Sequence, residues 1–452
     1  MEKGTKLLEG SIWKGVVAFA IPLFLGNLFQ QLYNTVDSLI VGNFLGSEAL
    51  AAVSSSGNLI FLMVGLVNGV SMGAGVVIAR YFGAKDYDRM QKTIHTLLAF
   101  GLVAGALLTV VGVALSPVML RLMDTPETVL PNSISYFRTY FTGSLAFVLY
   151  NICMGILQAV GDSRHPLQYL IISSLVNVVL DLLFVGVFHM GVWSAAAATA
   201  ISQLVSMALC LLRLMRSERA YRVSLRKIRF DRRALLEILQ NGLPAGLQSV
   251  MYSLSNIIIQ ASVNGFGTDV MAAYTAYGKV DGMYWMVINA FGVAITTFVG
   301  QNFGARLYDR MKKSINVCLG IAAAVTLLLS GVLMVVAEPL LGLFSDDAQV
   351  LEIGLSIVRL IVPTYITYIF IEILSGAMRG AGDSLIPTIM TLTGVCLLRV
   401  FWVTVVVSAH HELNVLLLSY PITWIVTSGM FVVYYLRGRW LKRCIALQNA
   451  EN

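Results

Sequence analysis

The chain has 452 residues, of which 57% are hydrophobic and 12% charged, and its mean hydropathy is +0.79; a soluble domain carries about 25% charge. That balance excludes a water-soluble enzyme or scaffold and places the chain in a lipid bilayer. The net charge of +7 then reads as an orientation signal, and nucleic acid is not an expected partner.

After the charged start MEKGTK, the first apolar stretch runs over about 15–40. It is too long, and too polar at Asn27, Gln30 and Gln31, for a cleaved signal peptide, so it is expected to be retained as the first span. Pro22 lies inside it, where a missing backbone donor favours a bend and makes a candidate hinge. Asp37 lies lower in the same stretch, in YNTVDSLIVG. An ionised carboxylate near the bilayer centre costs roughly 2.5–3.5 kcal/mol, so Asp37 is expected to face protein or a water-filled cavity.

Further segments of spanning length follow near 50–79, 93–120, 133–160, 166–188, 191–212, 237–263, 270–300, 314–337, 350–378, 385–408 and 414–436. Backbone polar groups in lipid must be satisfied internally, so the expected fold is all-α with about twelve transmembrane helices. Lys3, Lys6, Lys14, Arg80 to Lys92, Arg164, Arg213 to Arg233, Arg306 to Lys313, Arg379 and Arg437 to Arg443 mark one side. Glu48, Asp124, Glu127, Asp346 and Asp347 mark the other, with Arg121 as the basic exception. By the positive-inside rule both termini are cytoplasmic in the cell membrane. The basic run RSERAYRVSLRKIRFDRR is expected to be a cytoplasmic linker touching anionic headgroups. Cys153, Cys210, Cys318, Cys396 and Cys444 are scattered, as packing residues are, with no metal or disulfide spacing.

The sequence repeats itself. RYFGAKDYDRM at 80–90 returns as QNFGARLYDRM at 301–311, and AVGDSRHP at 159–166 returns as GAGDSLIP at 380–387, both at an offset of 221. Arg138 and Arg359 match at the same offset. The short motifs read as turns and helix ends; their duplication argues two pseudo-symmetric six-helix lobes of like orientation. The expected division is 1–215 for the first lobe, 216–236 for the linker, 237–440 for the second lobe and 441–452 for a cytoplasmic tail, with substrate bound between the lobes.

Asp37 has no acidic counterpart in the second half, where Ile258 or Ile259 takes its place. Tyr33 and Asp37 on the first span, and Asn177 and Asp181 on the fifth, are each four residues apart and share a helical face. Thr199 and Asn151 add oxygen ligands, giving a candidate pocket for a proton or a cation such as Na+. Two carboxylates in a poorly solvated lobe repel one another when both are ionised, so a group of this kind can carry a proton. In the second half Lys279, Asp281, Glu372 and Arg399 are the buried-segment charges. Glu372 and Arg399 are expected to form an internal ion pair; alternatively Glu372 and Asp281 attract a cationic substrate, helped by aromatic residues including Tyr284 and Trp285. His95, His189, His410 and His411 are expected at helix ends.

The two halves, VDSLIVG on the first helix, NVVLD on the fifth, and the paired FGA and GDS loops resemble the multidrug and toxic compound extrusion (MATE) family over nearly the whole chain, and within it the DinF-like branch. The resemblance implies that Tyr33, Asp37, Asn177, Asp181, Thr199 and Asn151 take up the coupling ion. The NorM-like branch has an acid in the seventh span, but PAGLQSVMYSLSNIIIQ has none. The same resemblance implies a non-enzymatic antiporter that exports amphipathic, cationic organic compounds against H+ or Na+, without a cofactor and working as a monomer. The alternative is a flippase for a lipid-linked saccharide precursor, which would favour a lumen richer in Lys and Arg than Lys279, Arg359 and Arg399 supply. No Walker A, GxSxG or HExxH motif is found, so the energy is expected to come from a gradient.

Overall fold

The computed structural model describes residues 7–122 and 125–451; Lys3, Lys6 and Asp124 lie outside them. The described residues fold into helices and turns, without a strand. The first half comprises α1 (Ile12–Leu45), α2 (Ser47–Gly83), α3 (Tyr87–Leu122), α4 (Leu130–Thr142), α5 (Ser144–Ala159), α6 (Arg164–Asp181) and α7 (Trp193–Arg216). The second comprises α8 (Arg232–Asn264), α9 (Thr268–Gly304), α10 (Tyr308–Gly342), α11 (Ala348–Ile361), α12 (Tyr365–Gly380), α13 (Leu385–Thr391), α14 (Leu398–Phe401), α15 (Leu413–Leu417), α16 (Ser419–Leu436) and α17 (Arg439–Glu451). Among the described residues, nine helical segments are each long and apolar enough to cross a bilayer, and α4 with α5, bent by 47°, makes a tenth. With α2 and the more polar α8 these account for the twelve expected spans.

The repeat is written into the backbone. Left-handed conformations recur at Gly46 and Gly267, at Lys85 and Arg306, and at Gly161 and Gly382, each pair 221 residues apart. In FGAK and FGAR the helix closes on the Lys or Arg itself. The next amide, Asp86 N in one half and Leu307 N in the other, donates back to Tyr81 O (3.0 Å) and Asn302 O (2.8 Å), which satisfies carbonyls left open at a helix end. These motifs are therefore structural closures.

The chain divides into two compact units, Ile21–Gly246 and Met1–Ala20 with Leu247–Asn452. The change of unit falls inside α1 and α8, within two residues of Pro22 and Pro244, whereas the sequence expectation placed the division in the linker. Packing explains the difference. In the unit Ile21–Gly246, Gly69 and Gly73 of α2 meet Gly246 and Gly242 of α8 so closely that a Cβ on either α2 glycine would collide with α8 backbone. Two facing GxxxG pairs let the helix backbones touch, as small residues do between membrane helices. The linker is held in the same unit: Gln91 Nε2 donates to Ala220 O and, at 3.0 Å, to Arg222 O. His95 Nε2 accepts from Ser224 N at 3.2 Å, and Thr96 Oγ1 accepts from Asp231 N at 3.0 Å. His95 is thus buried within α3 and fastens the linker, in place of the expected helix-end position. The core here gathers Val70, Ile78, Ile94, Ile152 and Ile156, and all five cysteines of the chain are buried thiols.

In the other unit α9 packs against α10, α11 and α12, around the buried Phe298, Tyr284, Tyr365 and Trp424. The first described residues belong to it: Leu7 is buried, and its carbonyl accepts from Asn302 Nδ2 and Arg310.

Candidate functional site

In the unit Ile21–Gly246, α1 supplies Tyr33 and Asp37, α6 supplies Asn177 and Asp181, and α7 supplies Thr199. Asp37 is 9% exposed; Asn177 and Asp181 are wholly enclosed. The two carboxyls lie within hydrogen-bonding reach of one another should either carry a proton. Among the described residues, neither oxygen of Asp181 has a hydrogen-bond donor, nor does Oδ1 of Asp37 or of Asn177. Asn177 Nδ2 donates weakly to Thr199 Oγ1 at 3.5 Å. The result is a cluster of oxygen acceptors without protons to fill them. Buried polar atoms are ordinarily satisfied, and each exception calls for an explanation.

Asp181 is the last residue of α6 before the helix widens into a π-helical turn, Leu182–Val187. Such turns arise where an i→i+4 ladder is interrupted, frequently at functional sites. The position 221 residues later, Trp402, begins the corresponding π-helical turn Trp402–Val407 and donates through Nε1 to Val415 O at 2.8 Å. The fold is repeated but the acid is not.

Two residues missed from sequence join the site. Gln203, one turn beyond Thr199 on α7, lies near the Tyr33 side chain, and its Oε1 is another buried acceptor without a donor among the described residues. Tyr136 of α4 is buried in the same cluster as Ile40 and Val41, one turn along α1 from Asp37, and stacks on Tyr140 with centroids 6.4 Å apart. The i+4 spacing from Thr199 could have found Gln203. Asn151 Nδ2 donates to Phe147 O, one turn back on α5, at 2.8 Å, which engages its amide nitrogen and not the oxygen expected to serve as a ligand. Pro22 lies within α1, which continues through it as helix.

The second unit holds a different arrangement. Asp281 of α9 accepts from Tyr365 Oη, from Tyr277 Oη at 3.1 Å and from Trp285 Nε1 at 2.7 Å, so three donors hold its carboxylate in place and leave acceptor capacity over. Tyr284 is buried, stacks on Tyr365 at 4.0 Å and donates to the Tyr365 carbonyl at 3.0 Å. Trp285 stands edge-on to Tyr368 at 4.6 Å. The expected ion pair of Glu372 with Arg399 is not formed. Glu372 Oε1 lies 3.9 Å from Arg379 Nη2, two turns along α12, where a spacing of seven residues puts both on one face. Gly292 makes this possible, because a Cβ there would strike the Glu372 carboxylate. Arg399 instead lies 4.4 Å over the Tyr420 ring and donates to Thr423 Oγ1 at 3.3 Å. Desolvated in this way, a guanidinium on an aromatic face gains up to about 2 kcal/mol. Lys279 is exposed and takes no part in these contacts.

Comparison with known proteins agrees with this architecture. The family model MatE matches residues 22–183 and again 244–405, one match in each half of the repeat. The probable multidrug resistance protein YoeA of Bacillus subtilis is 29% identical over 439 residues, covering 95% of both chains. Among solved structures, a MATE protein in a straight conformation superposes with a TM-score of 0.90 at 24% identity, covering 99% of this chain and 100% of that one. A MATE structure in a bent conformation superposes with a TM-score of 0.89 at 25% identity, covering 100% of this chain and 99% of that one. With both halves matched and the coverage nearly complete, this chain belongs to the MatE family.

Proposed function

We propose that the chain is a secondary antiporter that exports amphipathic, cationic organic compounds from the cell in exchange for H+ or Na+. The observation that carries this reading is the enclosed pair Asp37 and Asp181, in which both oxygens of Asp181 and Oδ1 of Asp37 lack donors among the described residues. Two ionised carboxylates so placed repel one another strongly in a medium of low effective dielectric. A proton removes one charge and turns one carboxyl into a donor toward the other. A sodium ion does the same work through oxygen ligands from Asp37, Asp181, Asn177 and Thr199. Either ion binds the site and neither belongs to it permanently, as a coupling ion requires. YoeA is named for multidrug resistance, which favours organic compounds as the exported class.

Ion binding must reshape the lobe to drive export, since a ligand shifts an equilibrium only by its differential affinity for the two states. Asp37 sits roughly four turns from Pro22 on α1, and the proline lies where α1 changes from one packing unit to the other. Charging and discharging the acidic pair biases α1 between straighter and more bent forms. In the second unit Asp281 and Trp285, which retain partial exposure, offer a cationic substrate a carboxylate and an aromatic face. The working unit is one chain in the cell membrane, with both termini cytoplasmic and no cofactor.

The test is purified protein in liposomes, with pH and sodium gradients imposed separately against a panel of cationic dyes and lipid-linked sugars. Saturable dye export that requires one of the two gradients supports the reading. Dye flux indifferent to both gradients, or movement of lipid-linked sugars alone, overturns it.

A further inference from the structure

The repeated YDRM helix starts differ in how they use their cations. In the first half Arg89 lies 3.3 Å from Asp86 and Lys92 lies 2.7 Å from Asp88, so both are neutralised. At the counterpart positions Asp86 becomes Leu307, and Arg310 binds backbone instead. Its Nε and Nη2 donate to Leu7 O at 3.3 Å, Nη2 also to Glu9 O at 3.1 Å, and Nη1 to Gly10 O at 3.0 Å. Carbonyls order the guanidinium without cancelling its charge. Lys313, one turn further on the same face, is exposed and has no ion pair among the described residues, although Asp309 holds the place of Asp88. Glu9, near Arg310, is exposed.

Between these groups is a cleft of about 400 Å³ lined by Gly10, Ile12, Trp13, Arg310, Lys313 and Val317. Trp13 is 55% exposed, and Lys14 extends over its ring at 5.6 Å. The cleft thus joins fixed positive charge, the flexible ammonium group of Lys313, an exposed indole and an apolar floor, with Lys14 beside it on the Trp13 ring, at the ends of the spanning helices α1 and α10. Trp is favoured at the headgroup level of a bilayer, and basic pockets between helices at that level suit anionic headgroups.

We propose that this cleft binds the phosphate of an anionic lipid headgroup, with Arg310 and Lys313 as its cationic wall, Lys14 closing over it, and Trp13, Ile12 and Val317 receiving the start of the acyl chains. The site is independent of the transported substrate and of the acidic pair. It lies within one packing unit, where the segment leading into α1 is fastened, so an occupied cleft holds the start of α1 in place.

The experiment uses the full chain in detergent, titrated with phosphatidylglycerol, with phosphatidylcholine and with inorganic phosphate, and reads bound lipid by native mass spectrometry. Wild type should bind phosphatidylglycerol saturably and bind phosphatidylcholine far less. Lys14→Gln with Lys313→Gln, both at exposed positions and so compatible with the fold, should weaken phosphatidylglycerol binding roughly 10- to 30-fold. Equal binding of the two lipids, or an unchanged affinity in the double variant, overturns the proposal. Displacement of the lipid by inorganic phosphate at millimolar concentration would assign the cleft to a free anion and overturn the lipid. Because the readout is binding, a failure of the antiport reading leaves this result unaffected.

Discussion

Asp181→Asn separates coupling from folding. The residue is fully enclosed and neither oxygen has a donor among the described residues, so an amide of the same shape loses none of their hydrogen bonds and gains a donor toward Asp37. One net hydrogen bond is worth roughly 0.5–1.5 kcal/mol, and one of two like charges is removed, so the variant should melt no lower than wild type. Transport should change in the opposite sense. With one proton exchanged per substrate, a gradient of one pH unit supplies about 1.36 kcal/mol, enough to sustain about a tenfold substrate gradient. Asp181→Asn cannot cycle that proton at the pair, and the steady-state gradient should fall to about unity. The assay is dye accumulation in proteoliposomes at fixed protein density, with a thermal melt of the same preparation. Groups acting as one unit are non-additive, so Asp37→Asn combined with Asp181→Asn should be no worse than either alone. A single variant that still sustains close to the wild-type gradient would refute the role assigned to the pair.

Pro22→Ala restores an amide donor to α1 and should leave substrate binding within about twofold while slowing export; equal slowing of both would point to misfolding, and no slowing would remove the hinge. Gly73→Val places a side chain into α8 backbone at Gly242, and overpacking of this kind costs roughly 1–3 kcal/mol, measurable as a lower melting temperature; an unchanged melt would mean that the helices separate freely. Gly292→Ala should displace Glu372 from Arg379 and alter substrate preference before it alters stability, checked by dye competition. A cysteine introduced within 213–233 should react with an impermeant reagent only from the cytoplasm and one within 345–349 only from outside, and the reverse pattern would overturn the orientation.

Much of the site was legible because charge in lipid is scarce. Against 57% apolar residues, Asp37 and Asp181 stand out, and the i, i+4 rule brings Tyr33 and Asn177 with them. Gln203 was legible by the same rule from Thr199 but is one amide among several. Tyr136 was not, since an aromatic near a span end looks like an interfacial belt until α4 is packed against its neighbours in the unit.

The number and period of the elements were determined by the sequence itself. Hydropathy sets span length, the offset of 221 sets the two halves, and left-handed turns recur at the same offset, since these depend on neighbours along the chain. Tertiary structure decided the partners. Arg379 and Arg399 are equally basic in the sequence, but Glu372 meets the one on its own helix face, while Arg399 rests on Tyr420. The boundary between the packing units was also a tertiary decision: the GxxxG pairs of α2 and α8 bring Gly73 and Gly242 together from 169 positions apart (242 − 73), and the first described residues are fastened by Arg310. A cation or a small residue states what it can bind or admit. Which group arrives there depends on which helices pack side by side, and that depends on the fit of whole surfaces.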